Sequence, residues 1–159
     1  MIIEETESIE ASIDRVWQGL NDPGILKLSL PGCEDFLVRE ENKFEVVMQA
    51  KIGPVKARFR GEIELSDINP PNSYTIAGSG KGGVAGFAKG IAKVSLSPGN
   101  NSEHTEMKYR IEVTVGGKLA QIGSRLVSGA AKKLSDEFFE KFRESLTDTG
   151  KDLEQEAPG

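Results

Sequence analysis

The sequence predicts an α+β domain in which a curved antiparallel sheet of six or seven strands wraps around a long C-terminal helix, with two short helices after the first strand. Three observations predict it. Apolar residues alternate with polar ones across the middle of the chain; Gly and Pro turns separate those runs; and after Gly116 and Gly117 the apolar spacing changes to three and four.

Residues 2–11 are β-branched and charged by turns and read as a strand. Ser12 then offers an N-cap, and Ile13, Val16, Trp17 and Leu20 follow at the spacing of a short amphipathic helix. Asn21, Asp22, Pro23 and Gly24 end it, residues 25–30 read as one more helical turn, and Pro31-Gly32 closes that turn. From residue 34 to 115 the period is two. Phe44, Val46, Met48, Ala50 and Ile52 alternate up to the Gly53-Pro54 turn, and Val55, Ala57, Phe59, Gly61, Ile63 and Leu65 alternate with Lys56, Arg58, Arg60, Glu62 and Glu64. One face of this strand is buried and the other wet. Residues 74–78 and 88–96 read as further strands around a glycine-rich connection. In the last strand Thr105, Met107, Tyr109, Ile111, Val113 and Val115 form the apolar set. Short turns between neighbours imply a meander. Leu119, Ile122, Leu126, Ala130, Leu134, Phe138, Phe142 and Leu146 then read as one helix of about 30 residues, with Gly150 as its stop signal. Residues 1–147 form a single domain on this reading, and 148–159 a disordered acidic tail.

Composition narrows the function classes. A chain of 159 residues with 37% hydrophobic content builds one core without a disulfide or metal staple. Twenty-five acidic against twenty basic residues give a net charge of -5, which argues against nucleic acid as a partner. Cys33 is the only cysteine and His104 the only histidine, so no zinc site on cysteine pairs and no two-cysteine redox motif is available. No apolar run reaches the length of a membrane span, and the glutamate-rich first ten residues differ from a signal peptide. The expectation is a soluble cytoplasmic protein.

The inner strand positions carry the functional signal. Ala50, Ala57, Gly61, Gly78, Ala88, Gly90 and Ala92 are small where a solid core would place Val, Leu or Phe. Either helix and sheet approach closely there, with Gly123, Gly129 and Ala130 meeting the small strand residues, or the interior holds an apolar cavity. Tyr109 is expected to point inward, where its phenol needs a partner from the protein or from a ligand. Met48 and Met107 suit adaptable binding or plain gap filling.

Other motifs carry less. Gly78-Ser79-Gly80-Lys81-Gly82-Gly83 has the spacing of a dinucleotide site but joins two strands instead of opening a crossover helix, and Gly82 stands where a phosphate loop needs Ser or Thr. The same stretch sets Val84, Phe87 and Ile91 beside Lys81, Lys89 and Lys93. That is a basic, partly apolar patch for a membrane or a partner, unless an irregular register buries Phe87. His104 reads as a solvated turn residue and Cys33 as a small half-buried thiol. Strand carboxylates point outward, and those of the long helix mingle with Lys133, Lys141 and Arg143 on a solvated face.

The strings LPGCE at 30–34, GPVKARFRG at 53–61, GKGGVAGFAKG at 80–90 and VGGKLAQIGSRLV at 115–127, followed by Phe138-Phe139, resemble the CoxG family, the G subunits of carbon monoxide dehydrogenase, over about residues 1–146. The resemblance implies a START-like (SRPBCC) helix-grip fold, whose sheet and helix enclose a pocket for hydrophobic ligands. It also implies a non-catalytic accessory to a molybdenum hydroxylase of the carbon monoxide dehydrogenase type, handling a quinone or lipid and aiding recruitment to the inner face of the membrane. Many relatives carry a C-terminal apolar anchor. This chain ends in an acidic segment, so transient contact through 80–91 is the expectation, by way of Lys81, Val84, Phe87, Lys89 and Ile91. The expected pocket lining is Met48, Phe59, Ile63, Tyr74, Ile76, Met107, Tyr109, Ile111, Leu119, Ile122 and Leu126, with no catalytic residue, metal or cofactor. Two alternatives remain: a polyketide cyclase or dehydratase-like enzyme in the same pocket, with Tyr109 as its acid or base, and a docking adaptor with a filled core.

Overall fold

A computed structural model describes the backbone of residues 1–156 and the side chains of 1–146. Seven strands form one antiparallel sheet in the order β1-β7-β6-β5-β4-β3-β2. They are β1 (Ile2–Ile9), β2 (Cys33–Glu40), β3 (Lys43–Ile52), β4 (Val55–Asn69), β5 (Ser73–Lys81), β6 (Phe87–Pro98) and β7 (Thr105–Gly116). Sequence neighbours from β2 to β7 pair directly, as the short turns between the alternating runs require, and β1 closes the far side against β7.

Helices α1 (Ile13–Leu20) and α2 (Pro23–Ser29) stand between β1 and β2. Ser12 caps α1 by accepting from the Arg15 amide at 3.3 Å. Asp22 does more than help end α1. Its Oδ1 accepts from the Gly24 and Ile25 amides at 2.9 and 3.3 Å, so it opens α2 with Pro23 at the first helical position.

The expected single C-terminal helix is two helices, α3 (Lys118–Gln121) and α4 (Ser124–Glu156). Gly123 breaks them with φ +99°, a conformation other residues rarely adopt. The break resets the helical phase. Val127 (6% exposed) is buried in place of Leu126 (49% exposed), and Phe139, Phe142 and Leu146 follow on the inner side. At its far end α4 passes Gly150, since one glycine costs about 1 kcal/mol in a helix and does not forbid it. The acidic tail expected at 148–159 has no described side chains, and 157–159 lie outside the described residues altogether.

The core is concentrated at one end of the trough. Phe139, Phe142 and Leu146 of α4 pack with Val16 and Leu20 of α1 and with Phe36, Phe44, Leu65, Tyr74, Val94, Leu96 and Met107 of the sheet. Phe142 is fully buried and stacks on Phe138 with centroids 5.6 Å apart, and Trp17 meets Tyr74 edge-on at 5.2 Å. Polar contacts seat the helix. Arg15 donates to the Leu146 carbonyl at 2.7 Å, and Arg143 binds Glu7 at 2.7 Å and the Ser8 carbonyl at 3.1 Å. Glu5 and Glu7 share the inner-face register of Tyr109 and Met107, contrary to the expectation that strand carboxylates point outward. Lys132 and Arg143 of α4 reach over β1 to meet them, so Arg143, its side chain 40% exposed, ties the helix to β1 from the edge of the solvated face.

Candidate functional site

The antiparallel register sets which side chains share the inner face. Met48 pairs with Phe59, Ala50 with Ala57, Ile63 with Gly78, Ile76 with Ala92, and Gly78 with Gly90. In β5 and β6 the inner residues shrink from one end to the other: Tyr74 and Ile76 give way to Gly78 and Gly80, and Leu96 and Val94 to Ala92, Gly90 and Ala88. The end with the small residues carries the β3–β4 turn, the 3-10 turn Gly83–Ala85, the end of β7, and α3.

Helix α4 meets the sheet chiefly along β1 and β3 and bridges the four strands between them. Five strand spacings of about 4.8 Å make an arc of about 24 Å, wider than the roughly 10 Å of a helix. The glycines show what the remaining space contains. A Cβ on Gly78 would find only the Glu62 carbonyl oxygen, at 3.8 Å, and one on Gly80 only the Arg60 carbonyl at 3.7 Å and neighbouring β4 atoms. For Gly90 the neighbours are Glu112 and Val113, again sheet atoms. A Cβ on Gly123 or on the exposed Gly129 would meet no heavy atom within 4 Å beyond its own stretch of chain. At Gly78, Gly123 and Gly129, therefore, helix and sheet do not approach each other closely. Inward-facing Met48, Ala50, Ala57, Phe59, Ile76, Ala92 and Ile111 all remain partly accessible. The sheet floor is open here, and its lining is apolar.

The expected lining residues occupy different places in the fold. Met48, Ile63, Ile76 and Ile111 border the packed core, and Phe59 and Ile122 lie beyond them toward the open end. Tyr74 (4% exposed) and Met107 (3%) belong to the packed core itself. Leu119 is fully buried on α3, whereas Leu126 is exposed because of the phase change at Gly123 and stands with Ile122 beside the Gly53 turn. Tyr109 lies where core and open space meet, its ring stacked on Phe139 at 5.5 Å. Among the described residues its buried hydroxyl has no hydrogen-bond partner of good geometry, although Ser135 lies beside it, and burial pushes the phenol pKa up.

The open end is ringed by loops. Pro54, Val55, Lys56, Val84, Lys118 and Ile122 surround a space of about 410 Å³ at this mouth. Val84 is 84% exposed, Phe87 43% and Ile91 50%. The β5–β6 register runs without a shift from Ser73↔Ser95 to Lys81↔Phe87, so no irregularity buries Phe87, and Lys89 faces water with it. A larger groove of about 620 Å³ lies on the outer face of the sheet, bordered by Glu45, Glu62, Glu64, Lys89 and Glu112. Ala77 and Ile91 stand there among these charged side chains, whereas the inner positions of β3 to β7 carry no charged residue.

His104 sits in the β6–β7 turn, its ring 2.9 Å from the Asn101 side chain. Burial pushes the Cys33 thiol pKa up, which makes it less reactive. Among the described residues no helix is long and apolar enough to cross a membrane.

A sequence model of the CoxG family, the G subunits of carbon monoxide dehydrogenase, matches residues 6–147. Among the curated proteins, none matches this sequence. A conserved protein from Geobacillus kaustophilus is 32% identical, with a TM-score of 0.88 over 94% of this chain and 97% of that one. A protein from Thermus thermophilus is 17% identical with a TM-score of 0.68, covering 94% of this chain and 99% of the other. The Zhui aromatase/cyclase from a Streptomyces species has a TM-score of 0.66 at 12% identity over 92% of this chain and 93% of its own. At that identity the likeness to the last two is one of fold, the helix-grip arrangement of the SRPBCC proteins.

Proposed function

This chain belongs to the CoxG family of carbon monoxide dehydrogenase G subunits, and from that premise we propose that it is a non-catalytic carrier that holds a lipophilic molecule, a quinone or lipid, between sheet and helix. Its service is to a molybdenum hydroxylase of the carbon monoxide dehydrogenase type at the inner face of the membrane. The observation that carries the proposal is the glycine floor: a side chain begun at Gly78 would meet only a sheet carbonyl oxygen, and at Gly80 and Gly90 the nearest atoms are again those of the sheet. Each 100 Å² of apolar guest surface buried there contributes roughly 2.5 kcal/mol. Tyr109 ends the space on the packed side. A small shift of its ring would offer the unpaired hydroxyl to a polar atom of the guest, and so give the guest direction.

The residue types of the open half favour carriage over catalysis. Met48, Ala50, Ala57, Phe59, Gly78, Gly80, Ala88, Gly90 and Ala92 supply no acid, base or nucleophile, and a cyclase or dehydratase needs one positioned at its substrate. The test is organic extraction of the folded protein purified from its native host, followed by mass spectrometry. Recovery of a lipophilic species near one per chain is the expected result. No such species, together with no uptake of added quinone, would overturn the proposal.

A further inference from the structure

The sheet has two edge strands, β1 and β2, and the chain treats them differently. At β1 the long helix reaches the strand: Arg143 donates to the Ser8 carbonyl at 3.1 Å, and Lys132 and Arg143 hold Glu5 and Glu7. At β2 nothing comparable is found. Six of its eight residues are exposed, and among the described residues no side chain from another element bonds its backbone. Leu37 and Val38 stand on it 41% and 59% exposed. Such an edge presents unpaired amide and carbonyl groups to any strand that can lie beside it.

The strand's own sequence points to the partner. Residues 34–40 read EDFLVRE, and laying this string antiparallel on a second copy about Leu37 sets Asp35 opposite Arg39, Phe36 opposite Val38 and Leu37 opposite itself. Two-fold symmetry makes each of these charge pairs occur twice. An axis at Phe36 or at Val38 loses the match, because it sets Asp35 or Arg39 against Leu37. Among the described residues Asp35 forms no salt bridge, and Arg39 holds Glu45 through Nε and Nη2, which leaves Nη1 for a second carboxylate. The like-charged pair, Glu34 with Glu40, is offset within each chain, since Glu34 binds Arg58 at 3.0 Å and Glu40 binds Lys43 at 3.6 Å. Register with β3 is regular from Asp35 to Val38 and shifts at both ends, so the available edge is short.

We propose that two copies of this chain join edge to edge through β2, antiparallel about a two-fold axis at Leu37. The inference does not rest on the carrier reading, since the joined strand is the rim of the sheet and not its floor. About seven residues on each side are fewer than the roughly 20–30 of a standard interface, so the dimer is a weak one, with half association expected near about 100 µM.

Sedimentation velocity of the full chain from about 10 µM to about 1 mM tests this, and the parent should pass from monomer to dimer with no larger species. Asp35→Arg or Arg39→Asp alone should weaken association about tenfold, because each sets like charges opposite one another twice. The double variant Asp35→Arg, Arg39→Asp should associate as the parent does, and so should an equimolar mixture of the two single variants. Hydrogen exchange at the amides of 35–39 should slow as the parent concentration rises. Lys93→Glu, exposed on β6 in the middle of the sheet, should leave the dimer unchanged. Circular dichroism confirms that each variant is folded. The proposal is overturned by a parent that stays monomeric throughout that range, by single variants that associate as the parent does, or by a double variant as weak as the singles. An equal loss in Lys93→Glu would seat the second copy on the face of the sheet and overturn it too.

Discussion

The two ends of the trough are built from the same strands, yet one is solid and the other open. At the packed end β6 turns Val94 and Leu96 inward against Phe139, Phe142 and Leu146, and three residues of one helix face fill the curve of the sheet. At the mouth β6 turns Ala88, Gly90 and Ala92 inward, and no side chain from the helix comes down to meet the glycine. The packed end holds the fold together, which leaves the other end free to omit volume that stability would otherwise demand.

The same substitution at the two ends should therefore have different effects. Phe142→Ala at the packed end should destabilise by about 3–5 kcal/mol, and Phe59→Ala near the mouth by less than about 1.5, read from urea midpoints. Comparable losses would mean that the mouth is as tightly packed as the core. Next in size is a pH effect from the packed end. Burial raises the pKa values of Tyr74 and Tyr109 above that of an unfolded tyrosine, so both favour the neutral phenol in the folded state. Their contribution is complete below about pH 10 and is lost as the pH rises beyond it, by at most about 1.4 kcal/mol per pH unit for each group. Tyr74→Phe should flatten this decline in urea midpoints measured from pH 8 to 11. An unchanged slope would place the phenol in water.

A smaller effect is expected where the two regions meet. Tyr109→Phe removes a buried hydroxyl that has no partner, so stability should hold or rise by up to about 1 kcal/mol in thermal melts. A loss of more than about 1 kcal/mol would mean that Ser135 or another group does satisfy it. The same variant should bind a quinone more weakly than the parent but still bind an apolar probe without a carbonyl.

The sheet was legible because period-two alternation depends only on neighbouring residues, and its register follows from the turns. Ser12 and Pro31-Gly32 marked local boundaries for the same reason. The helix break was not legible. Gly123 sits in an otherwise regular apolar spacing, and only its backbone conformation shows that Val127, and not Leu126, turns inward. Glu5 and Glu7 looked like outward residues until Lys132 and Arg143, more than a hundred positions away, were found against them. The small residues of the floor were visible in the sequence, but their meaning depends on how far away the helix rides, which no local pattern encodes.

The central claim, that the open end keeps room for an apolar guest, is tested most directly by filling it. Native mass spectrometry of the protein with a short-chain isoprenoid quinone should show a one-to-one adduct for the parent. For Gly78→Leu the adduct should fall at least tenfold while the thermal midpoint stays the same or rises, because the new side chain occupies empty space. A Gly78→Leu protein that is strongly destabilised, or that takes up quinone as well as the parent does, would contradict it.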